Sequence, residues 1–394
     1  TQINVLDYTC QGQELHPTMI VLDPDFLLDV SALAACVKPY GSHPFNYLLS
    51  KFTPHDVTLP ILLGNAANSF MDDCVNGAPS DDFAEGFKRA VKKHFGESLL
   101  EYVALADKVG EGYVRDAYDH YQHIRDAVDH RFERPEVGLS RESLVLEPSF
   151  ICEAMGLRGR LDVMSLDHRN VVELKSGRAD DFGHPPRPRP EHTLQMALYK
   201  AILHYNFGLP YSQVRTFLLY SRYPLLYDER SSGDEVARAM ALRNAIVYME
   251  RRLRQGGFAQ MLSQLTVETL NENDMTGRLF DNYLRPSLER ICTVFQQSAS
   301  VVKGKPCLSG RYFQAFLAFL EREQFLSKTG DNRPDSTRGF ARVWREGMAA
   351  KLSAGDALEG LRLCELSGNG AIERLTFALP EGGPDVLPNF NEGE

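Results

Sequence analysis

The chain has 394 residues, 43% of them apolar, which is long enough for two or three domains and typical of a folded protein rather than a disordered one. Its 43 Lys and Arg against 53 Asp and Glu give a net charge of −10, which argues against coating of nucleic acid or anionic membrane by bulk charge. No run approaches the roughly 18 apolar residues of a membrane span, and the N-terminal residues lack the order of a signal peptide. The composition therefore predicts a soluble, intracellular, cytoplasmic protein with no membrane partner.

The first part of the chain predicts short elements followed by long helices. Residues 19–22 are β-like, and Ser31 is placed to cap a short helix that ends near Pro39. Apolar residues then recur at helical spacing over residues 82–134, which predicts two or three amphipathic helices.

The middle of the chain changes to an alternating pattern. Three runs, 143–147, 159–164 and 170–175, predict three consecutive strands. A proline-rich loop over 177–190 separates them from a predicted apolar helix, 191–205, and a fourth strand, 214–220. The sequence thus predicts a helix between the third strand and the fourth.

The last third predicts helices and then a return to strands. A basic helix over 234–254 stops at the pair Gly256-Gly257, and further helices are predicted at 279–298, 310–326 and 337–353, followed by strands at 360–364 and 373–378. These two strands predict either the start of a barrel or pairing elsewhere in the chain. We expect an N-terminal segment, 1–55, packed on the core; a main domain, 56–257, with a helical insertion at 80–135; a helical region, 258–355; and the start of a truncated β-barrel, 356–394.

Three charged residues of the predicted strands carry the chemistry. Glu173 and Lys175 are two positions apart and so share a face, and a neighbouring strand can bring Asp162 beside them. A solvated salt-bridge ladder is the alternative for such a short motif, but apolar neighbours make these charges costly unless they are paired or bound to metal. Two carboxylates suit Mg²⁺ or Mn²⁺, and a nearby lysine suits phosphodiester hydrolysis.

Longer motifs around these residues resemble a known family. The strings are Glu147…Gly156-Leu-Arg-Gly-Arg-Leu-Asp162, Val-Val-Glu173-Leu-Lys175-Ser-Gly177 and Glu191-His192…Gln195-Met-Ala-Leu-Tyr199. Over roughly residues 30–225 the chain resembles the RecB-type branch of the PD-(D/E)XK nucleases. Within that branch it is most similar to the nuclease domains of flap-processing replication helicase–nucleases. The resemblance implies an α/β fold with a restriction-endonuclease-like core, in which helices flank a central mixed sheet.

The resemblance also implies roles for individual residues. It implies that Asp162, Glu173 and the Leu174 carbonyl bind Mg²⁺ or Mn²⁺, that Lys175 is the catalytic lysine, and that Gln195 and Tyr199 order the active site and the DNA strand. The implied activity is a divalent-metal-dependent deoxyribonuclease acting on single-stranded or flap DNA in replication or repair. A helicase domain in a parent chain is the implied partner besides DNA.

Two positions depart from the family pattern. Where this branch usually carries G-x-x-x-H, with a metal-binding histidine, the chain has Gly64-Asn-Ala-Ala-Asn68, and Asn68 is a weaker ligand for a hard cation. Cys36 matches the first cysteine of an iron–sulfur site, but the next cysteine after Tyr199 is Cys292, so no cluster is expected. No P-loop motif occurs either, and no bound nucleotide is expected.

The charge distribution favours the same region as the DNA-binding part. Residues 151–256 hold 16 Lys and Arg against 12 Asp and Glu, a balance of +4, which leaves −14 for the rest of the chain. Two alternatives stay open besides the nuclease: a nuclease-fold DNA-binding module that has lost catalysis, and a recombination-type exonuclease of the same branch. The candidate phosphate-binding residues near the carboxylates are Arg158, Arg160, Arg178, Arg187 and Arg189.

Overall fold

The structure is a computed structural model that describes residues 2–53, 56–76, 82–180, 186–229, 233–298, 301–302, 305–330, 339–367 and 374–381. Within these ranges the fold is mixed α/β, with 14 strands in five sheets and 14 α-helices. The strands are β1 (Ile3–Gln11), β2 (Glu14–Leu22), β3 (Leu28–Asp29), β4 (Leu144–Leu146), β5 (Ser149–Cys152), β6 (Leu157–Arg160), β7 (Val163–Ser165), β8 (Asn170–Lys175), β9 (Arg215–Tyr220), β10 (Leu225–Glu229), β11 (Val301–Val302), β12 (Lys305–Pro306), β13 (Arg362–Ser367) and β14 (Arg374–Ala378).

The helices lie between and after these strands. They are α1 (Val30–Ala34), α2 (Phe45–Phe52), α3 (Leu59–Asn76), α4 (Phe83–Glu97), α5 (Leu99–Ala104), α6 (Glu111–His130), α7 (Pro190–Phe207), α8 (Gly233–Arg254), α9 (Phe258–Gln264), α10 (Val267–Leu270), α11 (Arg285–Ser298), α12 (Leu308–Thr329), α13 (Arg342–Arg345) and α14 (Met348–Ala354). In the part of the chain that the structure describes, each helix is too short or too polar to cross a lipid bilayer.

The chain forms two compact units, each assembled from three separate segments. A helical unit contains Thr1–Thr53, Ile151–Gly159 and Ser232–Glu346, and a sheet unit contains Pro54–Phe150, Arg160–Ser231 and Gly347–Glu394. This division shows which residues pack together and does not test the predicted domain boundaries. The four domains expected from the sequence therefore stay a prediction.

A mixed sheet of five strands in the order β10-β9-β8-β7-β4 forms the centre of the sheet unit. The central strand β8 is parallel to β9 and antiparallel to β7. Val172 and Leu174 of β8 join a buried apolar cluster with residues of α3 and α6, including Ala66 and Ile124. Since side chains alternate along a strand, the residues between them face the opposite side of the sheet.

The helix α7 follows the proline-rich loop and carries the next motif. It begins with Pro190, whose fixed φ suits the first turn, and ends at Gly208, whose φ of 67° closes the helix in the left-handed conformation. Leu198, Ala201 and Ile202 are fully buried, which fixes the helix in the sheet unit. Residues 181–185 of the preceding loop lie outside the described residues.

One arginine organises the core of the helical unit. Arg243 of α8 is completely buried, and its guanidinium donates to the backbone oxygens of Asp23 (2.9 Å), Phe26 (2.8 Å) and Leu22. Beside it, Gly156 has a φ of +62°, and a Cβ built there would clash with Arg243 Nη2. The chain segment after β2 is therefore tied to α8 through a buried charge, and a glycine is needed beside it.

Three local predictions differ from the structure. The residue before α1 is Asp29, which makes no capping hydrogen bond through its side chain, so Ser31 is not the cap, and the helix ends at Ala34. The helix expected at 337–353 is interrupted, because Glu346 adopts an extended conformation between α13 and α14; residues 331–338 lie outside the described residues. Among the described residues, the last two strands, β13 and β14, pair with each other in an antiparallel hairpin rather than elsewhere, and the truncated barrel stays a prediction.

Candidate active site

The predicted carboxylates meet where β7 begins beside β8. Val163 pairs with Val172 in antiparallel register, and continuing that register by one residue sets Asp162 opposite Glu173. The Leu174 N–H donates to Asp162 Oδ2 over 2.6 Å, which holds this carboxylate against the neighbouring strand. The structure thus brings the two residues together, as the alternating pattern of the sequence predicts.

Lys175 completes a charged pair on the same face of β8. Its Nζ donates to Glu173 Oε1 (2.8 Å) and to Gln195 Oε1 (2.9 Å). An ammonium carries three N–H donors, so one remains after these two hydrogen bonds. The Lys175 side chain keeps 19% of its surface exposed, whereas that of Glu173 keeps 5%, so the ammonium lies at the mouth of a buried carboxylate.

Gln195 and Tyr199 of α7 connect the charged residues. Gln195 Nε2 donates to Glu173 Oε1 (2.7 Å) and to Tyr199 Oη (2.9 Å), and Tyr199 Oη donates to the Arg160 backbone oxygen (2.8 Å). The two residues are one turn apart and therefore lie on one face of the helix. This network fixes the orientation of the Gln195 amide, with its oxygen towards Lys175.

Burial makes both carboxylates electrostatically costly. Burial raises the pKa of Asp162, and the negative charge of Glu173 raises it further. Burial likewise raises the pKa of Glu173, against the lowering effect of Lys175. Glu173 Oε2 is buried and has no hydrogen-bond partner, although buried oxygens of this kind are nearly always paired. The pair therefore lacks positive charge at this oxygen.

The residues present fit a divalent cation of the Mg²⁺ type. Such an ion prefers carboxylate oxygens and keeps several water ligands, so two protein carboxylates suffice. The unpartnered Oε2 of Glu173 and the free carboxylate oxygen of Asp162 are the atoms that would hold it. Within the described ranges, no three His, Cys, Asp or Glu side chains gather into a metal-binding group, so protein atoms alone would leave the coordination incomplete.

The stability of the metal-free protein is expected to depend on these two carboxyls. Their pKa values are raised above the unfolded value of about 4, so the stability that they contribute is complete below pH 4 and is lost as the pH rises through the folded values. With chelator present, raising the pH from 5 to 8 should therefore destabilise the wild type more than Asp162→Asn. The melting temperature of the wild type should fall relative to that of the variant by about 3 to 6 °C.

Calorimetry at the two pH values, with Asp107→Asn as an exposed control, measures this difference. The same difference between wild type and Asp162→Asn at both pH values would contradict the assignment. Mg²⁺ should raise the wild-type melting temperature more at pH 8 than at pH 5, because only the ionised carboxylates bind it.

The position that replaces the family histidine lies outside this hydrogen-bonded group. The Asn68 side chain of α3 makes no hydrogen bond to another described residue, so its role as a metal ligand stays a prediction. One turn later, burial and, to a smaller extent, the charge of Glu147 raise the pKa of Asp72 to about 6. The backbone N–H of Glu147 donates to the backbone carbonyl oxygen of Asp162 over 2.9 Å. Glu147 opens the first motif of the sequence but is given no role there, and Asp72 stands in no recognisable motif.

The five predicted arginines occupy different environments. Arg158 belongs to the helical unit, where its Nε and Nη2 bind Asp29 at 2.7 and 3.2 Å. Arg160 Nη1 lies 3.4 Å from Glu147 Oε2. The other three are exposed around the loop closed by a two-stranded bridge at Asp180, and we call them the basic rim: Arg178, Arg187 and Arg189. Arg158 and Arg160 are exposed as well, but each has a carboxylate oxygen within 3.4 Å.

Sequence reasoning missed His192 and the hydroxyl of Tyr220, which lie beside Lys175. His192 is three residues before Gln195 in α7, and its Nδ1 lies 2.6 Å from Tyr220 Oη. His192 belongs to the motif at the start of α7, but the sequence alone gives it no role. The Tyr220 ring is fully buried, and nothing in the pattern of its strand indicates that its hydroxyl contacts this histidine.

Compared with models of known protein families, the chain matches none of them, and no curated protein matches it significantly. The chain's own residues and their geometry therefore carry any functional assignment.

Proposed function

We propose that the chain is a divalent-metal-dependent deoxyribonuclease with a PD-(D/E)XK core of the RecB-type branch, acting on single-stranded or flap DNA. The observation that carries this proposal is the network in which Glu173 Oε1 accepts from both Lys175 and Gln195 while Oε2 has no partner. A salt-bridge ladder would pair both carboxylate oxygens or leave them in solvent. Here Oε1 of Glu173 is fixed by two donors, whereas Oε2 is buried and can still bind a cation.

Each residue has a distinct part in this proposal. Asp162 and Glu173 would hold Mg²⁺ or Mn²⁺, which when bound lowers the pKa of water and offsets negative charge on a phosphate. Lys175 keeps one N–H for the attacking water or a phosphoryl oxygen, while its other contacts fix its position. Gln195 and Tyr199 hold Lys175 and Glu173 in one geometry, because their own hydrogen bonds are satisfied.

The basic rim supports DNA as the substrate. Its guanidinium groups are exposed, and the closest carboxylate to Arg189, on Glu191, lies 3.8 Å from Nη1. Such loosely paired arginines suit the phosphates of a nucleic acid strand, since they lose little on exchanging water for phosphate. The flap preference and the place in replication or repair belong to the proposal through the family resemblance alone.

The proposal is tested by incubating the full chain with end-labelled single-stranded, flap and duplex DNA, with Mg²⁺, Mn²⁺ or chelator. We expect metal-dependent cleavage of the single-stranded and flap substrates. Binding of DNA without cleavage under every metal condition would overturn the nuclease proposal and favour a nuclease-fold binding module. Cleavage that requires a free end and a duplex would favour the recombination-type exonuclease.

Replacing Lys175 with methionine should lower the cleavage rate by about a hundredfold, because the variant loses the N–H donor that faces the reacting phosphate. DNA affinity should change little, since the basic rim remains. The matched control is Lys92→Met, at an exposed position of α4. Single-turnover cleavage together with fluorescence anisotropy of labelled DNA measures both quantities, and an unchanged rate in Lys175→Met would remove the lysine from the mechanism.

A further inference from the structure

A histidine and a tyrosine that the proposed mechanism does not use lie beside its lysine. Lys175 of β8 and Tyr220 of β9 are register partners in the parallel pair, so their side chains project from the same face of the sheet. His192 lies on the same side of α7 as Gln195, the partner of Lys175, because the two residues are three positions apart. These residues therefore border one site within the sheet unit.

Their hydrogen bonds determine where the imidazole proton is. Tyr220 Oη lies 3.1 Å from the Arg189 backbone nitrogen and 2.6 Å from His192 Nδ1. The backbone N–H can only donate, so the tyrosine oxygen accepts from Arg189. The phenolic hydrogen is buried with its ring and has His192 Nδ1 as its one acceptor among the described residues. An unpaired buried hydroxyl would be costly, so Nδ1 accepts and Nε2 carries the proton.

The same surroundings keep the ring neutral. Burial lowers the pKa of His192 to about 3, and the positive charges of Lys175 and Arg189 contribute to this lowering. The ring is half-buried, and its Nε2 has no hydrogen-bond partner in the described part of the chain. A neutral imidazole fixed in this way donates a hydrogen bond without giving up its proton, as a polarising group does at other enzyme sites.

We propose that His192 donates its Nε2–H to a phosphoryl oxygen of the DNA phosphodiester that is cleaved, next to the remaining N–H of Lys175. This inference rests on the proposed nuclease function and deepens it by naming a substrate-contacting donor. The Arg189 N–H donates to Tyr220 Oη, and the Tyr220 hydroxyl donates to His192 Nδ1. These hydrogen bonds fix the Nε2–H donor before DNA binds, so little reorganisation accompanies the reaction. No proton is transferred, and a general-acid role is disfavoured because the ring is neutral at the pH of use.

Kinetics of two variants test the donor. His192→Ala should lower kcat by about a hundredfold while the KM for single-stranded DNA changes less than about threefold, because the lost contact strengthens as charge develops. Tyr220→Phe should lower kcat by about tenfold, because the imidazole loses the hydrogen bond that fixes its tautomer. The wild-type rate should show no titration of His192 between pH 5 and 9. His130→Ala, at an exposed position of α6, is the control.

A second measurement reads the tautomer without activity. In the full chain labelled with ¹⁵N at histidine, NMR at pH 7 should show His192 protonated at Nε2 and unprotonated at Nδ1, with this pattern lost in Tyr220→Phe. A proton on Nδ1 in the wild type would overturn the hydrogen-bond assignment. His192→Ala that cleaves as fast as an active wild type would overturn the inference alone, whereas a wild type that cleaves no DNA would overturn the proposed function and this inference with it.

Discussion

Replacing Asp162 with asparagine is expected to lower the metal-dependent cleavage rate by about a thousandfold, or about 4 kcal/mol of activation free energy, without unfolding the protein. The asparagine oxygen can still accept the Leu174 N–H, which donates to Asp162 Oδ2 over 2.6 Å in the wild type. What disappears is the negative charge that, in the proposed function, would hold a cation beside Glu173. Since burial raises the pKa of Asp162, removing that charge also removes an electrostatic cost.

Loss of activity must therefore occur without loss of stability. With chelator present at pH 8, Asp162→Asn should melt at or above the wild-type temperature, and added Mn²⁺ should raise its melting temperature less than that of the wild type. The exposed Asp107→Asn serves as the control for both measurements. Full Mn²⁺-dependent cleavage by Asp162→Asn would show that this carboxylate is not a metal ligand.

The largest expected loss of stability comes from the buried arginine of the helical unit. Arg243→Met should lower the free energy of unfolding by about 3 to 5 kcal/mol, because three backbone oxygens lose their donor and the side chain that replaces it cannot hydrogen-bond. The oxygens belong to Leu22, Asp23 and Phe26. Arg238→Met, on the exposed side of the same helix, should change stability by less than about 0.5 kcal/mol. Urea titration of both variants measures the difference in the free energy of unfolding.

The glycine beside Arg243 provides a second test of this packing. Gly156→Ala should destabilise the wild type strongly, because its Cβ would meet Arg243 Nη2. In the Arg243→Met background the same change should cost less, because the clash with the guanidinium is absent, while the contact with the Pro24 backbone oxygen and the positive φ remain. Additive losses in the double variant would show that Arg243 is not packed against Gly156 as the structure has it.

The parts of the site that the sequence predicts well are those that repeat over short distances. Alternation in 170–175 fixes which side chains share a face of β8, so Glu173 and Lys175 follow from the sequence alone. Helical spacing likewise predicts that Gln195 and Tyr199 face one direction, and the hydrogen bond between them confirms it. To predict that Asp162 lies beside Glu173, one must also assume that β7 and β8 pair in antiparallel fashion. The short connection between these two strands favours that pairing.

The rest depends on contacts that no local pattern records. The contact between His192 and Tyr220 depends on the pairing of β8 with β9, because that register decides which residue of β9 lies beside Lys175. Arg243 would be expected on the surface of a basic helix, since arginine is seldom fully buried. It is buried with its guanidinium hydrogen-bonded to backbone oxygens at the end of β2 and just after it, and these oxygens lie more than 200 positions earlier in the chain.

This separation has a consequence for the order of events during synthesis. Leu22 N–H donates to Asn244 Oδ1 over 2.9 Å, although the two residues are 222 positions apart, and Arg243 binds the same segment. At about 5 to 20 residues per second, a ribosome needs roughly 10 to 45 s to synthesise the intervening chain. During that time the first hairpin has been made but its partner helix has not. The contact between the first hairpin and α8 therefore forms late, whereas the residues of the candidate metal site, 162–199, leave the ribosome within a few seconds of one another.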